Sequence, residues 1–109
     1  MKFKMGNDEW HIQTISNKMM NEVENAEEGE FIQGVTKYSS LKVYINDDAP
    51  NKEVTLYHEL MHVYLYEYGH NQWHRTFNNE DICEISASAY PIVREIVEKY
   101  LAKERYWQK

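Results

Sequence analysis

The chain has few cysteines, prolines and glycines. Its 109 residues include 1 Cys, 2 Pro and 4 Gly. A single cysteine, Cys83, excludes an intrachain disulfide and with it the disulfide-rich scaffold of many small secreted proteins. Pro50 and Pro91 stand alone, and we find no repeat, low-complexity tract or linker longer than a loop. These absences predict one continuous unit, a single domain spanning residues 1–109 that buries about two thirds of its unfolded surface.

Long apolar runs and an excess of positive charge are also missing. No apolar run reaches the length of a signal peptide or a membrane span, so we expect a cytoplasmic protein that does not enter a membrane. The 18 acidic residues outnumber the 12 basic ones, for a formal net charge of −6. This balance disfavours binding to a nucleic-acid backbone and makes a protein or peptide the expected partner.

The most specific pattern that is present is H-E-x-x-H at residues 58–62. On an α-helix, side chains four positions apart lie on the same side, so His58 and His62 can each give one ring nitrogen to the same zinc ion. Glu59 is rotated about 100° from His58. It is therefore predicted to act as a general base toward water at the metal rather than as a ligand.

The residues around the motif predict the helix that it requires. Asn51 is a suitable N-cap, Glu53 lies in the first turn, and Gly69 is a suitable C-terminal stop. The apolar residues form a wide arc, while Leu56 and Val63 fall outside it, so we expect a central helix covered on more than one side. The arc contains Val54, Tyr57, Leu60, Met61, Tyr64, Leu65 and Tyr68. The alternative is that His58 and His62 are hydrogen-bonded histidines at the edge of the core.

A third zinc ligand must come from outside this helix. The metzincin pattern is excluded, because Tyr68 stands where its third histidine would be. Residues 78–89 predict a second helix, and we expect Glu80 to be the ligand, with Glu84 accepting the free N–H of a ligand histidine. The two glutamates could exchange roles, and His70 or His74 are weaker candidates. Glu80 could also do no more than compensate the helix dipole, which is the ordinary role of an acid in a first helical turn.

The motif and the later N-E-x-x-C-E at residues 79–84 resemble the arrangement of the gluzincins, in which a glutamate from a later helix completes the site. More narrowly, the chain is similar to very small zincin-like proteins of phages and mobile elements, related to the ImmA/IrrE group of metallopeptidases. The resemblance covers residues 10–96 and also rests on residues 43–46 ahead of residues 55–62. It implies a zinc peptidase that cleaves a regulatory protein, a helix-turn-helix repressor in the broader group. Larger members carry longer helical segments, and some carry a DNA-binding domain, so the substrate does not transfer with the resemblance.

The remaining chain predicts an α+β fold. Residues 2–5 and 9–15 flank a turn and predict one hairpin, and residues 31–36 and 41–46 predict another. Residues 16–28 fit a short helix after a Ser16 or Asn17 cap, or an acidic solvated loop. The expected architecture is a minimal zincin, a small antiparallel or mixed sheet packed on the central H-E-x-x-H helix and followed by C-terminal helices.

Three further expectations concern the second helix and the end of the chain. Pro91 cannot donate to the carbonyl of Ala87 and should break or kink the helix there. Cys83 is expected to be a small buried apolar residue rather than a ligand or a nucleophile. Tyr106 and Trp107 are expected to dock on the sheet or fray, although they could also form a partner-binding tip.

The function expected from these residues is zinc-dependent hydrolysis of a peptide bond in a protein substrate, which the resemblance suggests is a phage or mobile-element regulator. His74, Tyr57 and Tyr90 are unranked candidates for stabilising the oxyanion. The resemblance to zincins also implies that the substrate lies extended along an exposed strand beside the motif helix, and which strand this is stays open. One alternative is a zincin-fold protein that binds and inhibits a host or regulatory protein without catalysis. Another is a structural zinc module that unfolds on chelation.

Overall fold

The structure is a computed structural model that describes residues 1–27, 29–69 and 76–107. For residues 106 and 107 it describes the backbone only. Its described residues form an α+β fold with a four-stranded mixed sheet and three helices. This confirms the expected fold class at the level of its secondary structure. In chain order the elements are β1 (Lys2–Met5), β2 (Asp8–Ile15), α1 (Asn17–Glu24), β3 (Gly34–Lys37), β4 (Lys42–Asn46), α2 (Lys52–Glu67) and α3 (Asn79–Trp107).

Two hairpins build the sheet, as the sequence predicts. β1 pairs antiparallel with β2 across a two-residue turn, and Gly6 has the positive φ of 62° that the first position of a tight turn of type II′ requires. β3 pairs antiparallel with β4, and β4 pairs parallel with β2, with Ile12 opposite Val43. The strand order β1-β2-β4-β3 places β1 and β3 at the edges. The sheet is therefore mixed, and β3 is the edge strand nearest to the start of α2.

Helix α1 settles the alternative that the sequence leaves open for residues 16–28. Ser16 is the N-cap, and its Oγ accepts a hydrogen bond from the amide of Met19 at 3.2 Å. Met20 is fully buried below the helix. The helix ends at Asn25, which has the left-handed conformation that ends many helices. The predicted short helix is confirmed up to residue 24, and residues 25–27 after it are irregular.

Helix α2 contains the whole H-E-x-x-H motif. Asn51 is its N-cap, with Oδ1 accepting from the amide of Val54 at 3.1 Å. The predicted apolar arc is wrong in its orientation, because Val54 is 61% exposed whereas Leu56 and Val63, which were expected outside the arc, are fully buried. α2 packs against both the sheet and α3, as expected, and its buried residues recur at i, i+1, i+4 and i+5, so they form one helical face that is rotated from the predicted arc and includes the polar Thr55 and Glu59. Its buried residues are Thr55, Leu56, Glu59, Leu60, Val63 and Tyr64.

A single cluster of buried apolar side chains joins the sheet, α2 and α3. The members that are 0–2% exposed come from every layer, so the cluster fixes how α2 sits on the sheet. They are Met5, Trp10, Ile12, Val43, Ile45, Leu56, Leu60, Val63, Ala89, Val93 and Val97.

Helix α3 continues through Pro91, so the predicted break is wrong, while the alternative of a kink stays a prediction. Proline removes one intrahelical hydrogen bond, which alone would favour a break. Ala89 and Val93 on either side of it are both buried in the core, so packing on both sides of the proline holds the helix together. The expected pair of C-terminal helices is therefore one helix of 29 residues.

Two other expectations about α3 have different outcomes. Cys83 is exposed, so its predicted burial is wrong. Its neighbours Ile82 and Glu84 are also exposed, because the first turns of α3 extend beyond the core that begins at Ala89. The side chains of Tyr106 and Trp107 lie outside the described part of the chain.

None of the described helices has the length and apolar character needed to cross a bilayer.

Candidate functional site

The two histidines of the motif point at each other on the surface of α2. His58 Nε2 and His62 Nε2 are 3.2 Å apart, and the ring centroids are 4.9 Å apart with the planes nearly perpendicular. His58 is exposed and His62 is half-buried. The helix therefore brings both ring nitrogens to one point that solvent can reach.

This spacing fits two ligands of one metal ion. Two nitrogens of a tetrahedral zinc site, each about 2.0–2.1 Å from the metal, lie roughly 3.3 Å apart. The observed 3.2 Å between His58 Nε2 and His62 Nε2 matches that value. The same distance also suits a hydrogen bond between two neutral imidazoles, in which one tautomer donates to the other. The geometry thus allows the two histidines to fill two of the four coordination positions of one zinc ion.

Glu59 differs from its histidine neighbours because it is turned toward the sheet. It is 6% exposed, and its Oε2 accepts a 2.6 Å hydrogen bond from Oγ1 of Thr36 on β3. The charge of Glu59 also acts on Tyr38, whose phenol has its pKa raised first by burial and then by this carboxylate. The edge strand therefore holds the carboxylate in a fixed orientation beside His58.

Gly34 allows β3 to approach α2 this closely. A Cβ placed on Gly34 would lie 2.8 Å from Thr55 Cγ2, 3.1 Å from Glu59 Cγ and 3.3 Å from the Tyr44 carbonyl oxygen. A larger residue would therefore push β3 and Glu59 apart. A glycine within a predicted strand is the local sequence signal for such a close approach.

A cleft of about 410 Å³ opens beside the motif, between the start of α2 and the chain that leads into β3. Its lining includes His58 and Glu59 together with Gly34 and Thr55. Thr55 Oγ1 lies 3.2 Å from Gln33 Oε1, so the two sides of the cleft are in contact at its base. The volume falls within the range of about 300–1,000 Å³ that is usual for ligand pockets.

Asn46 at the end of β4 anchors one wall of this cleft. It is fully buried, and its Nδ2 donates to Asn17 Oδ1 at 2.8 Å and to the Ile32 carbonyl at 2.9 Å. Its Oδ1 accepts from the amide of Asp48 at 2.9 Å, and its own amide donates to the Gln33 carbonyl at 2.8 Å. One amide side chain therefore ties the chain before β3 to α1 and to the end of β4.

The third predicted ligand is not in place beside the two histidines. Glu80 is exposed in the first turn of α3, where Asn78 and Asp81 cap the helix by bonding each other's backbone amides. Within residues 1–27, 29–69 and 76–107, no group of three or more His, Cys, Asp and Glu side chains could hold a metal ion. Neither Glu80 nor Glu84 therefore completes such a group with His58 and His62, and both stay predictions. His70 and His74 lie outside the described residues.

The candidate oxyanion donors are only partly described. Burial, followed by the nearby Tyr90 and Glu53, raises the pKa of the Tyr57 phenol. Tyr90 is exposed and accepts a hydrogen bond from Arg94 Nη1 at 3.1 Å. Among the described residues, no hydrogen bond or ring contact joins either phenol to the pair of motif histidines, and His74 lies outside the described residues. The oxyanion role therefore stays unassigned.

No protein-family model, curated protein or solved structure matches this chain. The function is therefore argued from the geometry of these residues.

Sequence reasoning identified the motif but missed the residues that support it from the strand side. Thr36 is 23 residues from Glu59 along the chain, and no local pattern pairs them. Gly34 inside a predicted strand carried a usable signal, because glycine there weakens a strand unless close packing requires it. The sequence contains no signal for the cleft wall before β3, because that wall depends on the buried hydrogen bonds of Asn46.

Proposed function

We propose that the protein is a zinc-dependent peptidase of the minimal zincin type, in which His58 and His62 are metal ligands and Glu59 is the general base. The observation that carries the proposal is the convergence of two imidazole nitrogens at 3.2 Å with a carboxylate beside them in an open cleft. A hydrogen-bonded histidine pair alone would not account for a carboxylate that lines the cleft beside the pair. Together the three residues supply two ligands and a base.

Bound zinc would act as a Lewis acid that polarises a peptide carbonyl and makes water a better nucleophile near neutral pH. Glu59 Oε2 accepts the hydrogen bond from Thr36, so we assign proton transfer to Oε1. This oxygen takes the proton of the attacking water and passes it to the leaving amine. Thr36 fixes the rotation of the carboxylate during both transfers.

The third ligand in this proposal is Glu80, with Glu84 as the second choice. Both lie in the first two turns of α3, and both are exposed. Their carboxylates are long and unburied, so moving one to the histidine pair breaks no buried contact. The resemblance to zincin-like proteins, in which a later glutamate completes the site, favours the same assignment.

The substrate in this proposal is a protein segment in extended form, with a phage or mobile-element regulator as the expected source. β3 is an edge strand, and its backbone on the side away from β4 can pair with such a segment. β3 also carries Thr36 and Gly34, which contact Glu59. A segment paired there would lie next to the base.

The Glu59→Gln variant tests catalysis. The zinc-loaded full chain is incubated with a peptide pool from a digested proteome, and new termini are identified by mass spectrometry. We expect cleavage by the wild type, loss of at least 100-fold in Glu59→Gln with zinc content unchanged, and normal cleavage by Glu53→Gln, an exposed glutamate of the same helix. Equal cleavage by wild type and Glu59→Gln would overturn the role of Glu59.

The alternative function is binding and inhibition of a host or regulatory protein without catalysis. The acidic balance of 18 acids to 12 bases would suit a basic partner. It predicts that Glu59→Gln keeps the biological effect in full. A structural zinc module instead predicts that a chelator unfolds the chain, which circular dichroism would detect.

A further inference from the structure

Two exposed apolar side chains flank the cleft that holds His58 and Glu59. Phe31 is 48% exposed and Val54 is 61% exposed, and both line the cleft. Leaving large apolar groups in water costs free energy that burial against a ligand would recover. They stand on opposite sides, one on the chain before β3 and the other in the first turn of α2. The cleft thus has an apolar entrance above a polar base.

The charges in the cleft restrict what can enter between these two residues. Among the residues that line it, Glu59 has the acidic side chain, and Gln33, Thr55 and His58 supply the other polar atoms. An acidic side chain would be repelled by the Glu59 carboxylate. A basic side chain would lose its hydration between Phe31 and Val54, and Glu59 could offer it only Oε1, the oxygen assigned to proton transfer, because Oε2 accepts from Thr36. An uncharged apolar group meets neither cost.

We propose that Phe31 and Val54 are specificity-determining residues that receive an apolar side chain of a peptide lying in the cleft. The occupant is a peptide segment with a leucine- or phenylalanine-like residue beside the bond nearest His58. This inference rests on the proposed function for its meaning in catalysis, but the contact itself is a binding event that needs no turnover. The cleft volume of about 410 Å³ accommodates such a side chain together with the backbone that carries it.

Nuclear magnetic resonance titration of the full chain tests the proposal with four probes. They are the N-acetyl amides of leucine, alanine, lysine and glutamate, each of which presents one side chain on a peptide-like backbone. We expect the leucine probe to shift the amide signals of Gly34 and Val54 and to bind at least threefold more tightly than the alanine probe. The lysine and glutamate probes should bind no better than alanine.

Matched variants separate the cleft from general surface adhesion. Phe31→Ala and Val54→Ala should each weaken the leucine probe at least threefold. Met19→Ala on α1 removes an apolar side chain that is 51% exposed and does not line the cleft, and it should change nothing. All three residues are exposed, so the fold is expected to persist, and unchanged spectra of the core residues would verify it.

Three results would overturn the proposal: equal affinity for the leucine and alanine probes, tighter binding of the lysine probe, or equal weakening by Met19→Ala. Failure of the peptidase test has a different pattern. In that case the peptide pool stays intact, while the leucine preference and its dependence on Phe31 and Val54 persist. The cleft would then bind apolar peptide side chains without cleaving them.

Discussion

Thr36 Oγ1 on the edge strand donates a 2.6 Å hydrogen bond to Glu59 Oε2 on the motif helix. The bond joins a strand to a helix through two residues that are 23 positions apart in the chain. Because Glu59 is only 6% exposed, this hydroxyl compensates part of the cost of burying its carboxylate. The contact therefore contributes both to stability and to the orientation of the proposed base.

Replacing Thr36 with valine keeps the shape of the side chain and removes the hydroxyl. The Glu59 carboxylate would lose its donor in a buried position, so we expect the free energy of unfolding to fall by about 1–3 kcal/mol. Thr36→Ser keeps the hydroxyl and should recover most of that loss. Urea denaturation of the three proteins measures the difference, and equal stability of the valine and wild-type proteins would show that the bond contributes nothing.

Gly34→Ala tests the close approach of β3 and α2. The added methyl group would lie 2.8 Å from Thr55 Cγ2, so the strand or the helix must shift, at an expected cost of about 1–3 kcal/mol. Thr55→Ser removes that methyl contact but keeps the hydroxyl that bonds the Asn51 carbonyl at 3.0 Å. The double variant should therefore lose less unfolding free energy than the sum of the losses in Gly34→Ala and Thr55→Ser. If the losses simply add in thermal or urea unfolding, the contact between residue 34 and the Thr55 methyl group does not limit the packing.

Asn46→Asp tests the anchor of the cleft wall. Aspartate keeps an oxygen for the amide of Asp48 but replaces the Nδ2 donor, so it would face Asn17 Oδ1 and the Ile32 carbonyl with a second oxygen. We expect a loss of at least about 2 kcal/mol in unfolding free energy, because one oxygen of a buried carboxylate would face two acceptors. Amide hydrogen exchange should also quicken at residues 31–33. An unfolding free energy within a few tenths of a kcal/mol of the wild-type value would show that Asn46 does not anchor the cleft wall.

Glu67→Gln should change how stability depends on pH. Burial first, and then Asp8, raise the pKa of the Glu67 carboxyl, against opposing hydrogen bonds from Trp10 and the Asn7 backbone. The charged form is therefore disfavoured in the folded chain. This penalty is present above the raised folded pKa and disappears as the pH falls below the unfolded value.

Glutamine carries no charge and keeps an oxygen to accept the 2.9 Å hydrogen bond from Trp10 Nε1. The variant should therefore be more stable than the wild type at pH 7, and the difference should vanish toward pH 4. Unfolding measured across this range checks the sign. If the variant were less stable than the wild type by the same amount at every pH, the Trp10 bond rather than the charge would decide the effect.

Local patterns predicted the parts of the fold that depend on neighbours in sequence. Strand alternation and Gly6 predicted the first hairpin, and Asn51 predicted the start of the motif helix. Errors arose where distant packing outweighed local preference. Pro91 lies inside a helix because the core holds both sides of it, and Cys83 is exposed because the start of α3 extends past the core.

The candidate site divides in the same way. Helical spacing alone predicted that His58 and His62 would converge, and their ring nitrogens lie 3.2 Å apart. The contribution of β3 could not be predicted, because Thr36 reaches Glu59 only through the folded packing of strand on helix. The third ligand depends on where the start of α3 lies relative to α2, and no periodicity in the sequence encodes that distance.

Zinc content measured by elemental analysis, after loading and removal of free metal, tests the central claim most directly. We predict one zinc per wild-type chain, little or none in His58→Ala and in His62→Ala, and one in His11→Ala, which alters a histidine of β2. Loss in Glu80→Ala with retention in Glu84→Ala would identify the third ligand, and the reverse would exchange them. Equal zinc in the wild type, His58→Ala and His62→Ala, or none in the wild type, would contradict the claim that these two imidazoles share a metal ion.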